Sequence, residues 1–318
     1  MKWKLLLQTR RMAHVAAVFV LTVFLGEIPA TYAQLSQADR GIAQELVAGI
    51  LANEMRMKKY SYAVDLKMHS YDLTLNPDQL SPEGELAVFV DHDQKYWFRT
   101  LQRESIHNNQ LVVSPLRTEF SKNGECFYRI IGRDIGMPPS TSIPFFEPFE
   151  IGITNFNSFQ NGESKAGMLL DFCDDDKLVS VEEITDKRRG ELVRLIYQYT
   201  PMGRIYVTFA EQLGRMPIYL EVRSTFNGRQ SNPSNDESDY LRILTTTSTE
   251  WKNRGELWMP TRALLTSVQS TNRLSRSRDK ELRFHWWFND KLTVDDVEKF
   301  VNRELYDLIV ENAQVKGE

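Results

Sequence analysis

The chain has 318 residues, of which 39 are Lys or Arg and 43 are Asp or Glu, giving a formal net charge of −4 at pH 7. A mildly acidic chain lacks the basic face that would neutralise phosphates, so a nucleic-acid-binding protein is not expected. This length is sufficient for one large domain or two small ones with a well-buried core.

Residues 1–33 have the pattern of a secretory signal peptide. Four basic residues lie within the first 11 positions, the apolar run VAAVFVLTVFL covers residues 15–25, and the small residues Thr31 and Ala33 lie three and one positions before Gln34. Such a pattern is typical of a cleaved export signal, and the apolar run is too short to span a bilayer comfortably. We therefore predict cleavage between Ala33 and Gln34 and export to the periplasm or cell envelope of a bacterium. A single domain would then cover residues 34–318, with no stable transmembrane segment; an uncleaved membrane anchor is the alternative.

Amphipathic helices are predicted at both ends of the remaining chain. Between residues 36 and 58, apolar residues such as Leu46 and Ile50 recur at steps of three and four, which is the period of a helix with one apolar face. The same period extends over residues 293–314, where Thr293 and Asp296 have the spacing of a capping box. We expect the first helix to pack on a sheet by its apolar face.

Between the helices the period of the apolar residues changes to two, which predicts strands. Residues 60–68 alternate between apolar and polar side chains, and further alternating stretches occur at 193–199, 205–209 and 218–222. Turns such as KNGE and KNRGE separate them without intervening helices, which indicates antiparallel hairpins. We predict an α+β fold with one large antiparallel sheet of roughly ten to twelve strands. Residues 133–162, which are rich in Pro and Phe, fit neither period and are predicted to be an irregular insertion.

The stretch ELRFHWWF at residues 281–288 is predicted to be a strand with two different faces. One face carries Leu282, Phe284, Trp286 and Phe288, and the other carries Arg283, His285 and Trp287. Neither a carboxylate nor a second histidine lies at ligand spacing from His285 on its face. We therefore predict a structural role for His285 and not that of a metal ligand or a base.

The sequence contains none of the local motifs typical of catalysis, nucleotide binding or metal binding, such as GxSxG, HExxH, CxxC, GxGxxG or a P-loop. The acidic stretch DFCDDDK at residues 171–177 lacks the alternating ligands and the glycine of a calcium loop, and we interpret it as a solvated turn. We predict no catalytic residue, no metal site and no cofactor. A hydrolase whose catalytic residues assemble only in space is a distant alternative.

Aromatic residues are the remaining signal. They either form an ordinary core or line a cavity for an apolar ligand, with the Pro- and Phe-rich segment as a lid. The residues that would line such a cavity are Trp97, Phe98, Phe145, Phe146, Phe149, Trp258, Phe284 and Trp286.

The two cysteines, Cys126 and Cys173, could form a disulfide in an oxidising compartment. Closing so long a loop would stabilise the fold by about 4 kcal/mol in the chain-entropy account. Two separate buried thiols are the alternative.

Two hairpins carry a resemblance to a known family. The segments EQLGRMPIYLEV (211–222) and KNRGELWMPTRALL (252–265) each have a glycine in the turn and then Met-Pro at the start of the next strand. With the export signal, the amphipathic helix and the long meander, they make residues 36–290 similar to the LolA/LolB-type (lipoprotein-localisation fold) superfamily of exported bacterial proteins. The resemblance implies a half-barrel, a curved and incomplete barrel with helices against its concave side, enclosing an apolar cavity for acyl chains.

The resemblance also implies a function. A soluble, non-catalytic carrier or sensor would bind a lipid-like ligand, with a lipid or a lipoprotein acyl chain as the partner. Each buried methylene group contributes about 0.8 kcal/mol, so a long acyl chain can be held without any catalytic group. The alternative is an envelope interaction or structural module whose cavity is filled by its own side chains.

Overall fold

The structure is a computed structural model, and it describes residues 35–72, 83–107, 110–122, 125–130, 133–136, 148–153, 165–174, 176–227, 240–270, 275–300 and 302–315. The predicted signal peptide, with its Ala33–Gln34 junction, lies outside the described residues. Phe145, Phe146 and much of the predicted insertion at 133–162 also lie outside them.

The helical elements are α1 (Gln37–Met55), η1 (Pro148–Glu150), α2 (Lys165–Asp174), η2 (Glu211–Leu213), α3 (Val294–Val297) and α4 (Glu304–Val315), where η denotes a 3-10 helix. The strands are β1 (Lys59–Asp72), β2 (Glu83–Asp91), β3 (Tyr96–His107), β4 (Gln110–Val113), β5 (Arg117–Lys122), β6 (Glu125–Ile130), β7 (Arg133–Gly136), β8 (Leu178–Asp186), β9 (Gly190–Thr200), β10 (Gly203–Ala210), β11 (Met216–Asn227), β12 (Tyr240–Arg254), β13 (Leu257–Ser270) and β14 (Ser275–Trp287).

The described strands form one open antiparallel sheet. Its order is β7-β6-β5-β3-β2-β1-β14-β13-β12-β11-β10-β9-β8, and β4 pairs with β3 off this path. The pairing of β1 with β14 joins the two halves of the chain in the middle of the sheet. The predicted α+β fold with a large antiparallel sheet is therefore confirmed. The 14 strands exceed the predicted ten to twelve because short strands such as β4 and β7, with four residues each, show no readable alternation.

The register of the strands defines two faces of the sheet. Successive residues of a strand point to opposite sides, and residues paired across neighbouring strands share a side. We call the side that carries Tyr62 and Leu282 the inner face, and the side that carries Phe89 and Trp287 the outer face. Each face is covered by its own apolar cluster.

The sheet bends toward η1 on the inner face. Phe149 of η1 contacts the rings of Tyr60 in β1 and Trp286 in β14, at centroid distances of 5.8 and 5.6 Å. Shortly after η1, Gly152 lies directly against Pro217 of β11. In sheet order β11 is four strands from β1, which amounts to roughly 19 Å in a flat sheet. One short segment contacts both strands because the sheet is curved, as the LolA/LolB resemblance implied.

Helix α1 packs on the inner face, as predicted, and the structure ends it at Met55, short of the predicted 58. Its N-terminus is capped by Ser36, whose hydroxyl accepts a hydrogen bond of 3.1 Å from the backbone N–H of Asp39. Its buried residues include Ala43, Leu46, Val47 and Ile50. These pack against a cluster that includes Leu195, Val207 and Leu220 on strands β9 to β11.

Helix α2 was not predicted from the sequence. The interpretation of residues 171–177 as a solvated turn is wrong for Asp171 and Asp174, which belong to this helix. Its formation depends on tertiary contacts, since Arg40 of α1 donates a hydrogen bond of 3.0 Å to the backbone oxygen of Cys173. Gln44 of α1 also donates to the carboxylate of Asp174, at 2.9 Å. Short helices of this kind are held by packing more than by propensity.

The predicted C-terminal helix at 293–314 is divided in two. The capping box is present, because Thr293 and Asp296 exchange side-chain to backbone hydrogen bonds at the start of α3. Helix α4 begins at Glu304, and Asn302 between the two helices has a left-handed backbone with φ of 58°. A residue in that conformation cannot continue a right-handed helix, which explains the interruption. Helix α4 packs on the outer face against β1, β2 and β14.

Candidate ligand-binding face

The C-terminal half of β14 forms an aromatic surface on the inner face. Phe284 and Trp286 lie in a row with Phe288, which follows the end of the strand; the ring centroids are 6.5 and 6.1 Å apart and the planes are nearly parallel. Tyr62 of β1 lies beside Trp286 at 5.2 Å. The indole N–H of Trp286 donates a hydrogen bond of 2.8 Å to the backbone oxygen of Pro260, which fixes the ring. The predicted apolar face of this strand is therefore present and lies on the inner side.

The segment 148–153 fills this aromatic end. Phe149 is fully buried between Tyr60 and Trp286. The carboxylate of Glu150 accepts a hydrogen bond of 3.0 Å from the backbone N–H of Ala166, and so ties η1 to the start of α2. At Gly152 a Cβ atom would lie 2.4 Å from the backbone oxygen of Pro217, so only glycine permits this contact. The protein's own side chains therefore occupy this end of the inner face.

Most of the described residues that were predicted to line a cavity share one apolar cluster on the inner face. The members are Trp97, Phe149, Trp258, Phe284 and Trp286. Phe98 is not among them, because it follows Trp97 directly in β3 and points to the outer face, where it packs with Phe89.

The inner face continues beyond the aromatic end as a surface of aliphatic side chains. Leu66 of β1, Leu86 of β2 and Leu101 of β3 are partly exposed, whereas Leu265 and Leu282 beside them are buried. Paired positions place Leu66 next to Leu282, and Leu86 next to Leu101. The described helices make their extensive contacts elsewhere: α1 with α2, η1, β8 and β11, and α4 with the outer face. We call this half of the inner face the aliphatic end.

A row of threonines runs along β12 on the same face. Thr245, Thr247 and Thr249 are all buried. The hydroxyl oxygen of Thr249 has no hydrogen-bond partner among the described residues. A buried hydroxyl without a partner costs free energy, so this oxygen is a point at which a bound molecule could be recognised.

A buried ion pair lies on the inner face of β3 and β5. Arg99 donates a hydrogen bond of 2.8 Å to Glu119, and Arg117 lies 2.7 Å from the same carboxylate. The guanidinium of Arg99 also stacks over Trp97 at 4.6 Å. Burial lowers the pKa of Arg99, and the carboxylate of Glu119 opposes that change. The pair is satisfied within the protein and is a structural element of the sheet.

His285 has a partner that the sequence did not reveal. It lies on the outer face, and its Nε2 atom is 2.9 Å from the carboxylate of Asp65 in β1. The hydroxyl of Tyr306 in α4 donates to the other oxygen of Asp65. The hydrogen bond from His285 is the main reason why the pKa of Asp65 is lowered, and Tyr306 adds to it. The cluster connects α4 to two strands, and only the β1–β14 register, which brings distant parts of the chain together, could have indicated it.

The two cysteines are free thiols and do not form the disulfide that the sequence allowed. Cys126 lies in β6, opposite Ser121 and close to one end of the sheet order. Cys173 is buried in α2, with its sulfur 3.3 Å from the backbone oxygen of Leu169 and 3.7 Å from the hydroxyl of Tyr197 in β9. Burial raises the pKa of the Cys173 thiol. Cys126 therefore lies near one end of the sheet order, whereas Cys173 lies in a helix that contacts β9 near the other end, and the two thiols do not bond in this fold.

Within the described ranges, no three side chains of His, Cys, Asp or Glu are grouped so that they could hold a metal ion. The described part of the chain also contains no helix with the length and apolarity needed to cross a membrane.

Neither a scan against protein-family models nor a search of curated proteins finds a match to this chain. Among solved structures, the chain is similar to a domain from Vibrio parahaemolyticus that is described as an outer membrane lipoprotein-sorting protein domain, with 10% identity and a TM-score of 0.41; the match covers 82% of this chain and 97% of that one. It is also similar to a DUF1329 family protein from Desulfovibrio piger, with 7% identity and a TM-score of 0.36, over 79% of this chain and 95% of that one. These similarities concern the arrangement of the sheet and its helices.

Proposed function

We propose that the protein is a non-catalytic carrier or sensor that binds a lipid-like ligand on the inner face of its half-barrel. The observation that carries this proposal is the aliphatic end, where Leu66, Leu86 and Leu101 are partly exposed on a curved surface that continues from the buried cluster. A curved aliphatic surface suits a flexible acyl chain because hydrophobic association depends on area and not on direction. Each methylene group that leaves water there contributes about 0.8 kcal/mol.

The remainder of the proposal rests on the sequence. Residues 1–33 would direct export and be removed after Ala33, leaving a single domain over residues 34–318 in the periplasm or cell envelope. The partner would be a lipid or the acyl chain of a lipoprotein. N-terminal sequencing of the protein from an envelope fraction tests this part, and an intact Met1 on a membrane-embedded product would contradict it.

A second candidate is a structural or interaction module whose inner face is filled by its own side chains. The packing of Phe149 against Tyr60 and Trp286 favours it, because that end of the face leaves little room for a ligand. The two candidates differ in what they require of the aliphatic end. A carrier needs it accessible to a ligand, whereas a filled module does not.

Native mass spectrometry of the protein purified from its own host separates the two candidates. A retained lipid supports the carrier, and the delipidated protein should then bind dodecanol in a calorimetric titration. Replacing Leu86 by Trp should lower this affinity at least tenfold because the larger ring occupies the inner face. The matched control is Leu264→Trp, since Leu264 is exposed on the outer face and should not affect binding. Absence of both a retained lipid and dodecanol binding would refute the carrier.

A further inference from the structure

Strand β14 carries cations on the inner face next to its apolar residues. Alternation places Lys280 and Arg278 on the same side as Leu282. Lys280 is half-buried, and its paired neighbours on that side are Met68 of β1 and Leu265 of β13. A lysine ammonium is therefore held at the edge of the aliphatic end, with apolar side chains on both flanking strands.

A third cation of the inner face, Arg103, lies on β3 and is exposed. Arg103 is paired with Gly84 of β2, and Gly84 is paired with Leu66 of β1. A Cβ atom at Gly84 would lie 3.3 Å from the Cβ of Arg103 and 3.4 Å from Leu66, so the space above this glycine is shared by its two neighbours. Because Gly84 has no side chain, the stem of Arg103 and the side chain of Leu66 approach each other across β2.

The three cations act on one another. The pKa of Lys280 is lowered to about 8, first by burial and then by repulsion from Arg278 and Arg103. Neither arginine forms an ion pair with another described residue. Among the described residues of β3 and β5, Glu119 places a carboxylate on the inner face. This carboxylate is already bound by Arg99 and Arg117. On the outer face of the same strand, by contrast, Arg283 is paired with Glu281 at 2.9 Å. An anion that joins these cations relieves the repulsion between them.

We propose that the ligand is an amphiphile with an anionic headgroup, which Lys280, Arg278 and Arg103 bind while its acyl chain lies on the aliphatic end. This inference rests on the proposed function and narrows it to one class of ligand. Carboxylate and phosphate headgroups both offer the oxygen acceptors that arginine and lysine prefer. A fatty acid and an anionic phospholipid are the two sources of this chemistry, and a matched ligand series distinguishes them.

The series consists of dodecanoate, dodecyl phosphate, dodecanol and dodecyltrimethylammonium, each titrated into the delipidated full domain at pH 7 and low salt. We expect one or both anions to bind at least tenfold more tightly than dodecanol, and the cationic amphiphile to bind more weakly than dodecanol. Tighter binding of dodecanoate identifies a fatty-acid type of headgroup, and tighter binding of dodecyl phosphate a phospholipid type. Equal binding of anions and dodecanol would overturn the headgroup inference and leave the carrier intact. If none of the four bound, the proposed function would fail, and this inference with it.

Variants assign the effect to the three cations. Lys280→Met retains an unbranched stem between Met68 and Leu265 while it removes the charge, so the fold should be retained, and far-ultraviolet circular dichroism checks this. The double variant Lys280→Met/Arg278→Gln should bind the preferred anion at least tenfold more weakly. Its affinity for dodecanol should be unchanged. Arg283→Gln, on the opposite face of the same strand, is the matched control and should change neither. Equal losses for the anion and for dodecanol in the double variant would contradict charge recognition.

The pH dependence gives an independent measurement that requires no variant. Between pH 7 and pH 9 Lys280 should lose its proton, so the preference for the anion over dodecanol should decrease over this range. In Lys280→Met the preference should be smaller and should not change over the same range. A preference that stays constant in the parent protein would contradict the role of Lys280.

Discussion

The two ends of the inner face of β14 differ although they belong to one strand and point to one side. At the C-terminal end, Trp286 contacts Phe149, and Phe284 is buried in the same apolar cluster. Toward the N-terminal end, Lys280 is paired with the partly exposed Met68, and Arg278 follows on the same face. A single face therefore combines a packed aromatic core at one end with a partly exposed aliphatic surface next to cations at the other. Substitutions at the aromatic end should therefore lower stability, whereas removing a cation at the other end should not.

The largest effect is expected for Phe149→Ala. Phe149 is fully buried and contacts rings from β1 and β14, so its removal leaves a cavity at the aromatic end. We expect a loss of about 4 kcal/mol in the free energy of unfolding, measured by urea denaturation. Leu264→Ala, at an exposed outer-face position, is the control and should cost far less. A small loss for Phe149→Ala would show that the aromatic end is not a packed core.

The next effect concerns the carboxyl of Glu54, which belongs to α1 and lies close to Glu150 of η1. Burial, and then repulsion from Glu150, raise the pKa of Glu54 from 4.5 to about 7. A raised carboxyl pKa means that the folded state holds a proton that the unfolded state has released, so this contribution to stability is present below pH 4.5 and is lost as the pH rises through 7. After allowance for partial exposure, the loss amounts to roughly 2 kcal/mol.

Glu54→Gln should remove this pH dependence and make the protein more stable than the parent at pH 8. Urea denaturation at pH 5 and pH 8 measures both values for each protein. A parent protein whose stability does not fall between these pH values, or a Gln variant that falls equally, would contradict the assignment to Glu54.

A smaller effect is expected on the outer face, where Tyr306 joins α4 to Asp65. Tyr306→Phe removes one hydrogen bond to a carboxylate that is partly exposed. The expected loss is about 1.5 kcal/mol. His285→Ala should cost a similar amount and should leave ligand binding unchanged, because the inner face lies on the other side of the sheet. Loss of a binding or catalytic activity in His285→Ala with normal stability would overturn the structural role predicted for this residue.

The sequence predicted the regular elements of these regions well and the contacts between them poorly. The alternation in residues 60–68 and the period of α1 are local patterns, and both elements were confirmed. The Asp65–His285 contact depends on the pairing of β1 with β14, which no local pattern specifies. Phe98 is a different case, because the alternation within a strand already shows that it cannot share a face with Trp97.

The cations of β14 illustrate the same limit. The stretch SRSRDKE is polar at every position, and such a stretch normally indicates a strand that is solvated on both faces. Only the pairing of Lys280 with Met68 and Leu265 shows that one of its charges lies against apolar side chains.

The smallest expected effect is a gain in stability, and it tests the difference between the two ends of β14 most directly. The folded-state pKa of Lys280 is depressed from 10.5 to about 8, so holding its proton costs stability below pH 8, and this cost disappears as the pH rises toward 10.5. Lys280→Met removes this cost and should therefore increase the free energy of unfolding at pH 7. Because the side chain of Lys280 is partly solvated, we expect an increase of only about 1 kcal/mol. The increase should vanish near pH 10, where the parent lysine is neutral in the folded protein. Urea denaturation at pH 7 and pH 10 measures this change, with Lys67→Met as the control, since Lys67 lies on the outer face, is partly exposed and is paired with Glu83. If Lys280→Met were destabilising at both pH values, Lys280 would be a packing residue like those of the aromatic end, and the two ends of β14 would not differ in the way described.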